Sequence, residues 1–272
     1  KDLGRDNCQF YSQSLTERAM RRLNLEATLR LALERDELAL VYQPQLDLRS
    51  GRIESVEALV RWHHPEQGCI LPEEFIPSAE ENGLIGRIGE WVLRRACTDA
   101  VRWRAAGHGA RLAVNLSPVQ FRDPGLLHSV TAVLAETGLP ADCLELELTE
   151  GTLMEDTEST LATLRALRAA GIGLALDDFG TGWSSLSYLK HLPLTTLKVD
   201  QSFVQGVPND QQSVAIIRSI VSLASNLGFR ITAEGIETSD QMQAVREMAC
   251  HMAQGYYLAR PVPIGDLLAL LD

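Results

Sequence analysis

Large aliphatics alternate with small or polar residues through Leu112 to Ser117, Leu144 to Thr149 and Leu174 to Asp177. Asn115, Glu147 and Asp177 therefore share the less apolar face of three extended segments. Other stretches follow a helical period. Thr160 to Ala170 sets Leu161, Leu164 and Leu167 on one face and stops at Gly171, and Ser213 to Leu227 does the same with Val214, Ile217, Val221 and Leu227 before Gly228. From Leu38 onward strand-like and helical runs alternate, which predicts an α/β domain. The expected strands are Leu38 to Leu48, Ile53 to Trp62, Leu112 to Ser117, Leu144 to Thr149, Gly173 to Phe179, Thr196 to Phe203, Arg230 to Ile236 and Met252 to Leu258, and eight strands suggest a barrel. Only Arg49-Ser50-Gly51 separates the first two apart from their flanking residues, too short for a crossover helix, so those two are expected as an antiparallel hairpin. Ahead of them, Ser14 to Arg35 carries Leu25, Leu29 and Ala32 at helical spacing and predicts a leading helix. No linker or low-complexity tract divides the chain after Leu38.

Polar side chains sit at or near the ends of successive apolar runs: Glu57, Asn115, Glu147, Asp177, Asp178, Lys198, Glu234 and Gln254. A closed barrel points the polar face inward, so Glu57, Glu147, Asp177, Asp178 and Glu234 would converge. Two carboxylates about 4 Å apart repel by roughly 4 kcal/mol at an effective dielectric near 20, so such a cluster calls for bound cations. Adjacent strand residues face opposite ways, so Asp177 and Asp178 reach one metal only if the strand ends there. In a two-metal site one carboxylate bridges the cations, and Asp177 is the candidate bridge. The lesser alternative for the pair, read alone, is a turn with solvated acids. Asn115 offers a neutral oxygen to a hard cation, or else caps the turn at Pro118. On the second strand Val56, Ala58 and Val60 face outward and Glu57, Leu59 and Arg61 inward. Arg61 there suits a phosphate oxygen, against a surface salt bridge. Lys198 lies between two aliphatics, where burial needs partners. It suits donation to an attacking water or a phosphate oxygen, or a structural pair with Asp200 or Glu234. Glu150 is expected to brace a loop, and Gly180 to Tyr188 is a turn or a lid over the acids.

Charge and composition narrow the classes. The chain has 272 residues, 45% hydrophobic and 6% aromatic, with a formal net charge of −11, which suits one large globular domain. That balance argues against a duplex nucleic acid partner, whose affinity comes from cations meeting phosphates. Cys8, Cys69, Cys97, Cys143 and Cys250 are scattered, without a paired or zinc-like spacing, and read as reduced residues of a cytoplasmic segment. No apolar run approaches the roughly 20 residues that span a bilayer, although a full-length protein could be tethered to the inner membrane. No His-Glu-x-x-His occurs, and His108, His128 and His191 are expected to be ordinary surface or loop residues. Asp178-Phe179-Gly180 superficially suits a kinase, but the glycine-rich phosphate loop and the His-Arg-Asp segment are missing, as is any P-loop.

From about Leu38 to Pro263 the chain resembles the EAL-domain cyclic-di-GMP phosphodiesterases. The resemblance is carried by Glu57-Ala58-Leu59-Val60-Arg61-Trp62, Tyr42-Gln43-Pro44, Val114-Asn115-Leu116-Ser117 and Glu147-Leu148-Thr149-Glu150, then Asp177-Asp178-Phe179-Gly180-Thr181-Gly182, Lys198-Val199-Asp200, Ala233-Glu234-Gly235 and Gln254-Gly255-Tyr256. It implies a modified TIM (β/α)8 barrel with one antiparallel strand, and hydrolysis of cyclic di-GMP to linear pGpG with two divalent cations, Mg²⁺ or Mn²⁺. By position it implies that Glu57, Asn115, Glu147, Asp177, Asp178 and Glu234 hold the metals, with Glu234 also counted in the catalytic set. Lys198 and Gln254 would place the water, and Gln43, Leu59 and Arg61 would contact substrate. Glu150 and Glu237 would anchor the lid, in which Trp183 stands where the family often has Tyr. A homodimer formed beside that lid is a further implication. A silent cyclic-di-GMP receptor is the alternative, and the presence of every ligand position weighs against it. The opening Lys1-Asp2-Leu3-Gly4-Arg5-Asp6-Asn7 and Tyr11 resemble the tail of a GGDEF domain. Residues 1–37 are thus expected to be a GGDEF remnant with a linker helix and 38–272 the EAL domain, taken from a longer protein with adjoining GGDEF or sensor domains.

Overall fold

The computed structural model describes residues 28–153, 157–180 and 189–272. Residues 1–27, with Cys8, Tyr11 and the expected leading helix up to residue 27, and Thr181 to Tyr188 with Trp183 lie outside the described residues. Among the described residues there are nine strands: β1 Leu38–Asp47, β2 Ile53–His64, β3 Gly68–Ile70, β4 Arg111–Asn115, β5 Leu144–Thr149, β6 Gly173–Phe179, β7 Thr196–Val199, β8 Arg230–Ala233 and β9 Met252–Ala253. The chain divides into two compact units, one of residues up to Ala39 with Arg61–Leu84, the other of Leu40–Val60 with Ile85–Asp272.

The larger unit is a closed barrel. Strand order runs β1-β9-β8-β7-β6-β5-β4-β2, and β1 pairs with β2 to shut the ring. Pairings from β2 through β9 are parallel, whereas β1 meets β9 antiparallel with Leu46 opposite Ala253. The expected hairpin is present, with Asp47 N–H donating to Arg52 O at 2.8 Å. One strand in eight therefore runs backwards, for the reason the short connection implied.

Alternation makes the wall. On β5 Leu144, Leu146 and Leu148 are buried on one face, and Glu145 and Glu147 are buried on the other. On β6 Leu174 and Leu176 are buried outward, while Gly173, Ala175 and Asp177 take the other parity. The surrounding helices behave as their periods predicted: Leu164 and Leu167 of Thr157–Ala169, and Ile217 and Val221 of Gln211–Leu227, are buried. Gly138 and Gly228 close their helices in the left-handed conformation, at φ 76° and 77°. Four expected strands end early. The chain after Val199 turns into helix Gln201–Val204, because the Asp200 side chain accepts the Ser202 N–H and caps it. Ser117 leaves β4 by capping Pro118–Phe121 in a reciprocal box with Gln120. β8 and β9 stop at Ala233 and Ala253, which puts Glu234 and Gln254 just past their strands.

Among the described glycines, Gly255 makes the tightest approach to another stretch of backbone. A Cβ there would overlap the backbone N, C and O of Ile236, whose N–H donates to Gln254 O at 3.0 Å. Gly255→Ala is expected to cost at least ~2 kcal/mol, since backbone rather than a movable side chain must give way. Urea unfolding of the two proteins measures it, and equal midpoints would refute it.

In the smaller unit residues 28–34 are helical, in agreement with the expected leading helix over that stretch. β3 pairs antiparallel with the end of β2, Trp62 opposite Ile70, an extra strand that the sequence pattern did not predict. Trp62 is fully buried, edge-on to Phe75 with ring centroids 5.8 Å apart, and its Nε1–H donates to Glu37 at 3.0 Å.

Candidate functional site

Parallel strands deliver their C-terminal ends to one rim, and most of the polar residues picked out in the sequence arrive there. Lys198 on β7 is the centre. Its ammonium lies 2.6 Å from Glu147 Oε2, 2.8 Å from Glu234 Oε1, 3.2 Å from Asp177 Oδ1 and 3.9 Å from Glu57 Oε2, with the side chain 1% exposed. The pair with Glu234 considered from sequence is thus present as one arm of a larger cluster, while Asp200 is engaged at its helix cap.

Glu57 is held from both sides: Asn115 Nδ2 donates to its Oε1 at 2.6 Å and Gln254 Nε2 to its Oε2 at 2.6 Å. Gln254 is itself fixed, donating to Gln43 Oε1 at 3.0 Å and accepting from Gln45 Nε2 at 2.8 Å. Sequence reading had passed over Gln45. Period two from Gln43 along β1 puts it on the same face, which was the available signal. Asn115, its nitrogen committed to Glu57, keeps its carbonyl oxygen for another partner.

Asp177 and Asp178 share a side of the barrel for a reason other than the one expected. β6 does not end at Asp177 but continues to Phe179, with a register shift against β7 between Leu176 and Phe179. Asp178 takes φ 54°, a left-handed conformation that a short polar side chain tolerates. That irregularity breaks the alternation, and ligand oxygens of Asp177, Asp178 and Glu234 come within 4.8 Å of one another. The turn-with-solvated-acids reading fits Asp178, which is exposed, but not Asp177, whose side chain is 14% exposed and reaches Lys198.

The charges are not balanced within the cluster. Burial pushes the Glu147 carboxyl well above the usual range, and the nearby Glu57, Asp177 and Glu234 push the same way against Lys198. Burial raises Glu234 to about 8 and Asp178 to about 6, the latter aided by Asp177 and Asp200. Glu57 goes the other way: burial raises it, but Lys198 and the amide donors Gln254 and Asn115 together outweigh that and lower it. Lys198 stays charged, its burial more than offset by Asp177, Glu147, Glu234 and Glu57. Glu147 Oε1 is buried with no hydrogen-bond partner. An orphaned carboxylate oxygen costs about 1–3 kcal/mol or more. An oxygen-only donor set with one unsatisfied member fits a hard divalent cation.

Gln43 is buried and joined to the site through Gln254, with Nε2 donating to Ala259 O at 3.3 Å. Leu59 is half-buried on β2, two residues beyond Glu57. Arg61 is also half-buried but belongs to the stretch of β2 in the smaller unit. Glu150 opens the short helix Glu150–Leu153 and is buried, while Glu237 is exposed. The lid that these two were expected to anchor lies almost wholly outside the described residues. His108 pairs with Asp272 at 3.2 Å, and His128 and His191 are exposed, all away from the acids. Cys97, Cys143 and Cys250 are buried free thiols and Cys69 an exposed one. Among the described residues no helix is long and apolar enough to cross a membrane. A cavity of about 730 Å³ at the other end of the barrel, lined by Arg52, Glu54, His108 and Asp272 among others, contains none of the rim residues.

Fold and rim together define a parallel α/β barrel with one reversed strand that gathers acids and one lysine at its strand C-terminal ends. The EAL domain family matches residues 26–261, and the chain belongs to that family. It is 45% identical over 98% of its length to cyclic di-GMP phosphodiesterase NbdA of Pseudomonas aeruginosa, and 44% identical over 99% to the bifunctional diguanylate cyclase/cyclic di-GMP phosphodiesterase MucR of the same organism. The chain spans only 34% and 39% of those two proteins' lengths. Among solved structures, the PaMucR phosphodiesterase in complex with c-di-GMP superposes with a TM-score of 0.87 at 44% identity, covering 90% of this chain and 99% of that one. The EAL enzyme Bd1971 in its cAMP- and cyclic-di-GMP-bound form gives 0.89 at 30% identity, over 93% of this chain and 70% of that one.

Proposed function

We propose that this chain hydrolyses cyclic di-GMP to linear pGpG with two divalent cations, Mg²⁺ or Mn²⁺. The carrying observation is the buried lysine among converging carboxylates at the strand C-terminal rim, in a chain closely similar to named phosphodiesterases. Glu57, Asn115, Glu147, Asp177, Asp178 and Glu234 would hold the cations, which when bound lower the pKa of water and neutralise charge on the phosphoryl oxygens. Water oxygen adds to phosphorus, the bond to the ribose 3′ oxygen breaks, that oxygen takes a proton, and one of the two diester linkages opens. Lys198 keeps an ammonium proton beside the attacking oxygen, its position set by Glu147, Asp177 and Glu234. Gln254 orients Glu57 and, with Gln43, lines the substrate side. Leu59 continues that side along β2. Glu150 and Glu237 fit as supports for the loop after Gly180. The segment fits a cytoplasmic module of a longer protein with a GGDEF or sensor domain ahead of it, acting as a homodimer.

Incubation of the purified protein with cyclic di-GMP and Mg²⁺ or Mn²⁺ tests the reading: pGpG is the expected product. Tight binding without pGpG would establish the silent receptor instead. A second expectation concerns protons. Without cations Glu234 is protonated at neutral pH, since burial raises it to about 8, and Glu147 is shifted the same way. Ligation needs the deprotonated forms, so Mg²⁺ binding is expected to release protons at pH 7 and to tighten as pH rises towards 8. Calorimetry in two buffers of different ionisation enthalpy reads this directly, and equal heats would refute it.

A further inference from the structure

Glu145 lies two residues before Glu147 on the same face of β5, and its carboxylate is buried at 4% exposure. The proposed reaction does not use it. Its Oε2 accepts from Thr196 Oγ1 at 2.7 Å, and Thr196 lies two residues before Lys198 on β7. Two parallel rungs therefore join β5 to β7: Glu145 to Thr196, and Glu147 to Lys198 at 2.6 Å. Both cross over β6, the strand between them, at its smallest residues. Gly173 is paired in register with Glu145, and Ala175 with both Glu147 and Thr196. A Cβ on Gly173 would meet the Cβ, Cγ and Oε2 of Glu145 at 3.2 Å, so the missing side chain opens the lower crossing.

The backbone ladder is weakest where Lys198 needs it. β7 has four residues, and its pairing with β6 runs Ala175 to Thr196 and Leu176 to Leu197 before shifting to Phe179 and Val199. Lys198 falls in that gap, without a registered partner on β6. Thr195 cannot replace Thr196 as the tie. Its single hydroxyl proton is shared between Leu174 O at 2.7 Å and Glu145 Oε2 at 3.0 Å, and its oxygen already accepts the Leu174 N–H. The charge of Glu145 is felt by Arg230, which Glu54 and Asp47 hold at the opposite end of the barrel. A leucine at 145 against a valine at 196 would fill this layer without desolvating a charge, so packing alone does not explain the rung.

We infer that Glu145 and Thr196 are positioning residues for Lys198: their bond holds β7 against β5 one layer beneath the ammonium and replaces the backbone pairing lost at the β6 irregularity. The inference rests on the phosphodiesterase reading and deepens it. Thr196→Val keeps the branched shape and removes the hydroxyl, and Thr196→Ser keeps the hydroxyl. With Mg²⁺ saturating, Thr196→Val is expected to lower kcat for cyclic di-GMP by about tenfold or more, as small displacements of a reacting group do, with KM little changed. Thr196→Ser is expected to stay near wild type. Wild-type kcat in Thr196→Val, an equal loss in Thr196→Ser, or KM moving together with kcat would overturn the inference. Should Thr196→Val not fold, Gly173→Ala, which pushes Glu145 aside, serves in its place with the same expected kcat loss, and wild-type kcat there would overturn it too. A wild type that makes no pGpG refutes the phosphodiesterase reading. The rung is then judged from the crystal structure of Thr196→Val, where the Lys198 to Glu147 contact is expected to lengthen beyond hydrogen-bonding distance, and an unchanged contact would overturn it.

Discussion

Lys198→Met is expected to reduce cyclic di-GMP turnover by at least about a hundredfold, the range for loss of one preorganised proton donor. The same change is expected to destabilise the cation-free protein by about 3–5 kcal/mol, as breaking a buried ion pair does. The reason is arithmetic of charge. One ammonium lies within 4 Å of Glu57, Glu147, Asp177 and Glu234, and without it nothing cationic among the described contacts offsets them. Glu147 and Glu234 respond by holding protons, having raised pKa values already, so the destabilisation grows as pH rises and those protons are lost. Added Mg²⁺ replaces the missing charge and is expected to recover much of the stability but not the turnover. Denaturant unfolding with EDTA and with Mg²⁺, beside pGpG formation, separates the two effects. A variant that turns over normally would remove Lys198 from the chemistry.

Glu57→Gln should reduce turnover by roughly a thousandfold, because a neutral amide cannot replace a carboxylate in holding divalent cations. Shape is preserved, but polarity is not. Both Glu57 oxygens accept amide N–H groups, from Asn115 at 2.6 Å and from Gln254 at 2.6 Å. A glutamine must present its own NH2 to one of those donors, leaving a buried clash of donors that costs about 1–3 kcal/mol. The loss should therefore appear as weaker Mg²⁺ binding in calorimetry, a much lower kcat and a modestly lower melting temperature. Equal rates in variant and wild type would exclude Glu57 from the active centre. In both variants the binding of cyclic di-GMP itself is the informative control, since a receptor would keep it.

The two substitutions act on residues whose importance was visible at different levels. Glu57 was picked out by its place on an alternating strand and by its motif, yet its grip by Asn115 and Gln254 joins residues 58 and 197 positions apart, which no local pattern encodes. Lys198 was conspicuous as a lysine between two aliphatics. That it would lie within 4 Å of four acids, on β2, β5 and β6 and just past β8, follows only from closing the ring. Gln45 and Glu145 were passed over because neither sits in a short motif. Their parity on β1 and β5 was legible, but their partners, Gln254 and Thr196, lie about 209 and 51 residues away. Asp178 shows the limit of periodicity from the other side: two-residue alternation put it opposite Asp177, and a left-handed residue at φ 54° in a strand that goes on to Phe179 brought it back.

By itself the sequence determined the α/β class, the reversed first strand, the outward leucines and inward acids of β5 and β6, and the family. These rest on local physics, namely side-chain parity along a strand, the length of chain available between two strands, and the cost of burying charge. Tertiary structure alone decided the extra strand β3, the early ends of β7, β8 and β9, and the distances within the rim. Caps, a strand irregularity and ring closure set those features, and each depends on groups brought together from distant parts of the chain, where the energy of contact rather than local preference selects the conformation.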